Sequence, residues 1–342
     1  MSAKLTDRSQ QDFGLSPEVA CQVRDLNVTY RVDGRELSAL REVSLDIRQG
    51  QITAIIGESG SGKSTLALAL MNAVSSPGRI ANGTVTYRGL GEVTRMRGEE
   101  LRRVRGKAIS MVFQASQNSM NPLTRIGAQL LDLARSHDLP NPRAVLREAG
   151  DLASRMSLDA DRVLTSYQHQ LSGGMRQRVG IIFGLVLKPE ILLMDEPTTA
   201  LDVLSQSSVL EIVRSIQRER QLTTVLITHD MGVVAELADR VVVLYAGRVV
   251  EEASTAELLR HPRHPYTRAL IQAIPRLTGD PGDATALEGQ PPSLASVPNQ
   301  GCVFRERCPY RMDVCETILP SFRFDGDGEH RFACHYEEAR HD

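Results

Sequence analysis

Nine residues, GESGSGKST from Gly57 to Thr65, constrain this chain more than any other stretch. They fit the pattern G-x-x-x-x-G-K-[ST] and lie between a run of strand length, QITAII (51–56), and an apolar segment of helix length, STLALALMNAV (64–74). Such a loop brings backbone N–H groups around phosphate oxygens, which demands small residues with permissive dihedrals. It also opens a helix whose N-terminus carries partial positive charge. Gly57, Gly60 and Gly62 supply the freedom, and Ser59 and Thr65 complete the loop. Lys63 reaches the β and γ phosphates as a point charge, while the Ser64 hydroxyl joins the shell of a Mg²⁺ ion. Lysine occurs only at Lys4, Lys63, Lys107 and Lys188 among abundant arginines, so its presence at this position carries weight.

The surrounding texture agrees with an α/β chain. Two alternating strands, CQVRDLNVTYRV (21–32) and REVSLDIRQ (41–49), read as a small antiparallel layer joined through DGRE. GTVTYRG (83–89) is a further strand, and AISMVF (108–113) reads as a buried one. From about 123 to 187 the sequence is helical and more polar, a helical lobe set into the domain. Strand-type runs return at EILLMD (190–195), TTVLIT (223–228) and DRVVVLY (239–245), alternating with helices such as LSQSSVLEIVRSIQRER (204–220). That alternation predicts a largely parallel sheet covered by helices. The expected fold is therefore a P-loop NTPase core with an antiparallel β layer, a helical subdomain and a small cysteine-rich C-terminal extension. The expected divisions are a tail at 1–19, an ATPase domain at 20–273 with its helical lobe at about 115–187, and an extension at 274–342 carrying a four-cysteine metal site.

A phosphate loop needs carboxylates to hold the metal and activate water. ILLMDEP (191–197) is an apolar strand ending in two of them, and open α/β sheets bind ligands at the C-terminal edge of their strands. Asp195 suits Mg²⁺, and Glu196 suits the general base for the attacking water.

Three more segments complete a pattern. LSGGMRQR (171–178) precedes the carboxylate strand, TTALD (198–202) follows it, and ITHD (227–230) carries a histidine. In this order they resemble the ATP-binding subunits of ABC transporters, a likeness running from about residue 20 to the end. Ser172, Gly173 and Gly174 open a helix and so form a second anion-binding N-terminus without side-chain bulk. The resemblance implies that this signature closes, across a head-to-tail dimer, on the ATP held by the phosphate loop of a second subunit. It further implies that Gln114 contacts the Mg²⁺ or its water, that His229 binds the γ-phosphate and orients the water, that Tyr30 stacks on adenine, and that Asp202 lies at the dimer seam.

The chain's tail narrows the family. HPRHPYTRALIQAIPRL (261–277), EGQPPSL (288–294) and GCVFRERCP (301–309) are similar to the oligopeptide, dipeptide and nickel importer branch. Membership implies an ATPase powering solute import through two separate permease subunits, with a second ATPase subunit, either a paralogue or a second copy of this chain, and an extracytoplasmic solute-binding protein. Two departures stand out: QASQNSMNPL (114–123) replaces the usual Asp-Pro after the glutamine, and IIFGLVLKP (181–189) lacks the usual small alanines. The rival class is a mechanical ATPase of DNA maintenance or translation. Such proteins carry coiled-coil arms, zinc insertions or fused second cores, of which the sequence gives no sign.

Four of the five cysteines gather at the end: Cys302, Cys308, Cys315 and Cys334, spaced C-x5-C-x6-C-x18-C. In a reducing compartment gathered thiols favour a metal site over disulfides. The spacing lacks the tight pairs of zinc modules, although zinc and free thiols stay open as readings. The resemblance implies a [4Fe–4S] cluster that staples a tail too poor in apolar residues to hold its own shape. Cys21, far away on the first strand, reads as packing.

Net charge of -2 and a pI near 6.5 give no basic field for nucleic acid. Apolar runs fall short of the roughly 18 residues that cross a bilayer, and MSAKLTDRSQQDFG holds no apolar targeting segment. The expected location is the cytoplasmic side of the cell membrane, held there peripherally.

Overall fold

The structure is a computed structural model that describes residues 14–114, 120–198, 203–273, 287–326 and 328–336. Its strands are β1 (Val19–Val32), β2 (Arg35–Arg48), β3 (Ile52–Ile56), β4 (Gly78–Tyr87), β5 (Gly91–Glu92), β6 (Ile109–Val112), β7 (Ile191–Asp195), β8 (Thr223–Ile227), β9 (Arg240–Tyr245), β10 (Arg248–Ser254), β11 (Arg323–Asp325) and β12 (His330–Phe332). The helices are α1 (Lys63–Leu70), α2 (Gly98–Val104), α3 (Ile126–Ser136), α4 (Ala144–Arg155), α5 (Ala160–Thr165), α6 (Gly173–Leu185), α7 (Val203–Arg220), α8 (Met231–Leu237), α9 (Thr255–Arg260), α10 (Pro265–Gln272) and α11 (Val314–Thr317). The described residues divide between two compact units, one holding those up to 21 with 47–52 and 87–227, the other those of 22–46, 53–86 and from 228 onward.

In the first unit β6, β7 and β8 run parallel, with Val112 opposite Met194 and Asp195 opposite Ile227. Every residue of β7 and β8 is buried. Strands buried on both faces cannot alternate apolar and polar, which explains the unbroken run ILLM. Helices α3, α4 and α5 pack on one another, and α6 packs on both α4 and β6. Gly184 lies where α6 meets β6: a Cβ there would sit 2.7 Å from Val112 Cγ2. The departure from alanine at this position thus has a steric reason, because the β-branched Val112 has little room to yield.

In the second unit β1 and β2 are neighbours in a sheet whose order runs β2-β1-β4. Asp33 and Gly34 join them, with φ of 49° and 76°. A two-residue connection with both φ positive matches the twist of an antiparallel hairpin, so the turn is tighter than the DGRE reading. Beside this layer, β3 pairs parallel with β9, β9 antiparallel with β10, β10 with β12 and β12 with β11.

The last two strands alter one expectation. The tail is not shaped by sulfur alone, since β12 pairs with β10 through Glu251 opposite Phe332, and Ala333 N–H donates to the Val250 carbonyl at 2.8 Å. Val297, Val303 and Phe304 enter the same core as Ile56, Val243, Tyr245 and Tyr266. Phe304 meets Tyr245 edge-on at 5.2 Å between centroids. The fully buried Glu251 carboxylate accepts the backbone N–H groups of Arg263 and His264, at 2.6 and 2.9 Å, and lies 2.7 Å from His330 Nε2. A buried carboxylate so satisfied ties β10, the start of α10 and β12 into one piece.

Among the described residues, no helix is long and apolar enough to cross a membrane.

Candidate functional site

The phosphate loop leaves the buried β3 and turns into α1, with Gly62 at the N-cap in a left-handed conformation, φ 104°. A side chain is excluded there on two counts, because a Cβ would also meet the Ala39 carbonyl at 2.8 Å. Gly57, at φ 151°, is tighter still, since a Cβ would sit 2.2 Å from the Leu244 carbonyl oxygen. Ser61 N–H donates to the Glu58 carbonyl at 3.2 Å, and Gly247 N–H to the Ser61 carbonyl at 2.9 Å. Lys63 Nζ rests on the carbonyls of Gly57 and Glu58, at 2.7 and 2.9 Å. The loop is therefore curled about its own lysine. Ser59, Gly60 and Ser64 are exposed, and Thr65 is half-buried.

Two further predicted residues lie in this unit. Thr228 N–H bonds the Ile55 carbonyl at 3.4 Å, so His229, the exposed residue that follows, leaves the sheet beside the strand that feeds the phosphate loop. Asp230 then caps α8 by accepting from Gly232 N–H at 2.8 Å. Tyr30 is half-buried on β1, its ring against Gly78, where a Cβ would come within 2.6 Å of ring carbon Cε1.

The other unit carries the carboxylates, the signature and the glutamine. Asp195 ends β7 and is 4% exposed. Glu196, 9% exposed, adopts φ 52° and donates its N–H to the Ile227 carbonyl at 2.9 Å. A non-glycine residue held at positive φ costs about 1–3 kcal/mol, and such positions cluster where a side chain must be aimed. Gln114 is exposed two residues beyond β6, on the same strand-end edge as Asp195 in the parallel β6–β7 pair. Ser172 caps α6, its Oγ accepting from Met175 N–H at 3.3 Å, with Gly173 and Gly174 in the first turn. Asp202, predicted at the dimer seam, lies outside the described residues.

Sequence reasoning missed Gln177. This buried residue of α6 donates its side-chain amide to the Pro197 carbonyl, tying the signature helix to the turn after Glu196. Its place in LSGGMRQR was visible, but no local pattern reveals a partner twenty residues on. Tyr266 was missed as well: its hydroxyl accepts Glu58 N–H at 2.8 Å.

Cys302, Cys315 and Cys334 are buried and Cys308 half-buried, all four as free thiols. Their backbones interlock, Cys302 N–H donating to the Cys315 carbonyl at 2.8 Å. Burial pushes the Cys302 thiol up to about 11, and the nearby Cys315, Cys334 and Cys308 add to the rise. Burial also raises Cys308 and Cys334, each again with other cysteines of the set as neighbours. The four thus converge on one region, yet among the described residues no three histidine, cysteine or acidic side chains close into a metal-holding group. Cys21 is fully buried.

Comparison with known proteins follows the same outline. Residues 40–199 match the ABC transporter family, and residues 250–315 match the oligopeptide/dipeptide transporter C-terminal region. The dipeptide transport ATP-binding protein DppD of Caldanaerobacter subterraneus is 41% identical over 324 residues, covering 94% of this chain and 98% of that protein. The oligopeptide transport ATP-binding protein OppD of Salmonella typhimurium is 37% identical, covering 88% of this chain and 90% of its own. Among solved structures, a dimeric ATP-binding cassette bound to ADP and phosphate in a post-hydrolysis state superposes with a TM-score of 0.61. It shares 26% identity and covers 69% of this chain and 98% of its own. The protein cbiO1 of Clostridium perfringens, part of the ABC transporter complex cbiONQ, gives 0.60 at 25% identity, over 71% and 92% of the two chains. With a phosphate loop, a carboxylate strand and a capped signature helix in place, and relatives matched nearly end to end, the chain belongs to the ATP-binding subunits of the ABC transporters, in their oligopeptide/dipeptide branch.

Proposed function

We propose that this chain hydrolyses ATP to power uptake of peptides through two separate permease subunits, working beside a second ATPase subunit and served by an extracytoplasmic solute-binding protein. The observation that carries the reading is the match at both ends of the chain: the cassette itself and the C-terminal region of oligopeptide and dipeptide transporters. As in the transporters whose ATP-binding subunits it resembles, the chain would act peripherally at the cytoplasmic face, passing its work to separate permease chains.

The residue roles rest on motif order together with local geometry. Backbone amides of Gly60 and of Gly62 to Ser64 cradle the phosphates, and Lys63 leaves the Gly57 and Glu58 carbonyls to meet the β and γ oxygens. Tyr30 offers its ring to adenine. Ser64, Gln114 and Asp195 would hold Mg²⁺, a hard cation suited to hydroxyl, amide and carboxylate oxygens, and the ion supplies charge compensation for the triphosphate. Glu196 takes a proton from the attacking water, and His229 orients that water against the γ-phosphate. Ser172, Gly173, Gly174 and Asp202 serve the nucleotide held by the second subunit.

The [4Fe–4S] reading of the four cysteines rests on their number, their spacing and their thiolate donors, although among the described residues no three of them close into a metal-holding group. Bound there, the cluster would fix the geometry of residues 302–334; zinc would do the same through four thiolates.

One preparation tests both parts. Affinity purification of the tagged chain under anaerobic conditions is expected to bring down two hydrophobic permease chains and to yield brown protein holding iron and acid-labile sulfide. Recovery with nucleic-acid or ribosomal partners would overturn the transport reading. Colourless protein with stoichiometric zinc would overturn the cluster alone.

A further inference from the structure

The second residue of the phosphate loop is held by three of its groups at once. Glu58 N–H donates to the Tyr266 hydroxyl at 2.8 Å, and its carbonyl accepts Lys63 Nζ at 2.9 Å. Its carboxylate receives both terminal nitrogens of Arg307, at 2.6 and 3.0 Å, across 249 positions of sequence. Arg307 is as firmly seated as its partner. Its side chain is 5% exposed, its Nε donates to the Glu288 carbonyl at 3.0 Å, and its guanidinium lies 5.9 Å from the centre of the Tyr245 ring. Tyr245 in turn meets Tyr266 at 4.6 Å between centroids.

Several ion pairs among the described residues join two exposed side chains, which contribute little. The bidentate Glu58–Arg307 pair differs in burial, because removing the carboxylate would strand a nearly buried cation. Its effect falls on the loop. With Glu58 N–H committed to Tyr266 and its carboxylate to Arg307, the backbone at Glu58 is set before nucleotide arrives, and the Lys63 side chain is what moves to meet the phosphates. A loop already in its binding shape loses less conformational freedom on binding.

We propose that Arg307, together with Tyr266, is a positioning residue for the phosphate loop, so that the C-terminal extension sets nucleotide affinity from a point adjacent to Cys308. This deepens, and rests on, the reading of Gly57–Thr65 as the triphosphate site. Arg307 touches no reacting atom; it acts through Glu58.

The test uses the full chain, with MgADP affinity by calorimetry, KM and kcat for ATP, and thermal denaturation. Glu58→Gln and Arg307→Gln are each expected to weaken MgADP binding about tenfold and raise KM in step, with kcat within about twofold of the parent. Combined, the two substitutions should cost no more than either alone, because they break one contact. Tyr266→Phe should weaken binding by a smaller factor. Additive losses in the double variant, or loss in one single variant but not the other, would overturn the proposal, as would a lowered melting temperature with unchanged KM. Should Arg307→Gln fail to fold, Glu58→Gln decides, since parent-like affinity in that variant removes the proposed role. A parent chain that binds no MgADP would instead contradict the triphosphate site itself, which separates the two failures.

Discussion

Replacing Glu196 with glutamine is expected to leave MgATP bound and to slow hydrolysis by about 10²–10⁴-fold, the usual contribution of a positioned general base. The side chain sits 9% exposed on a backbone held at φ 52°, fixed by its N–H bond to the Ile227 carbonyl and followed by a proline whose carbonyl is bonded by Gln177. Glutamine keeps the size and the backbone while losing the capacity to take a proton. Binding and chemistry should therefore separate, with ATP-bound subunits accumulating as dimers in sedimentation. Hydrolysis at the parent rate would remove Glu196 from the role.

The second large effect is expected at Gly57. An alanine Cβ would sit 2.2 Å from the Leu244 carbonyl and 2.7 Å from Ser61 Oγ, on a backbone at φ 151°. Neither obstacle is the soft end of a long side chain. Strain and overpacking together are expected to lower stability by roughly 2–5 kcal/mol and to abolish nucleotide binding, because the loop can relieve the clash only by uncurling. Gly60 is the control. It also has positive φ, 81°, but no atom lies within 4 Å of its virtual Cβ, so alanine there should lose only about 1–2 kcal/mol. Denaturation midpoints and MgADP titrations of the two variants check the contrast; equal losses would show that steric closeness to Leu244 is unimportant.

Much of this was legible in the sequence because it depends on local rules. A glycine loop between a buried strand and a helix has one geometry, and ILLMDEP and LSGG declare a strand end and a helix cap in their own residues. The tail was harder for a physical reason. Cysteine spacing invites a reading in terms of sulfur, whereas Val297, Val303 and Phe304 are scattered among polar neighbours with no period that marks them as core. They become core only because β9, β10 and α10 supply the surface they cover. The same holds for Glu58 and Arg307: each is an ordinary charged residue until the fold brings them to 2.6 Å. Gln114 was placed at a strand end correctly, but residues 115–119 and 199–202 lie outside the described residues, and with them the departure after Gln114 and the Asp202 assignment.

The central physical claim is that one subunit carries two complementary halves of a triphosphate site, the loop around Lys63 and the helix start at Ser172–Gly174. The direct test mixes two full-length variants, Lys63→Ala and Gly173→Val, each inactive as a pure preparation. Where two copies of this chain form the dimer, a mixed pair has one site that joins the intact loop of one chain to the intact signature of the other. ATPase activity should then recover to about a quarter of the parent rate at equal mixing, since half the dimers are mixed and each carries one complete site. A Gly173→Val chain that alone turns over ATP at the parent rate would contradict the claim.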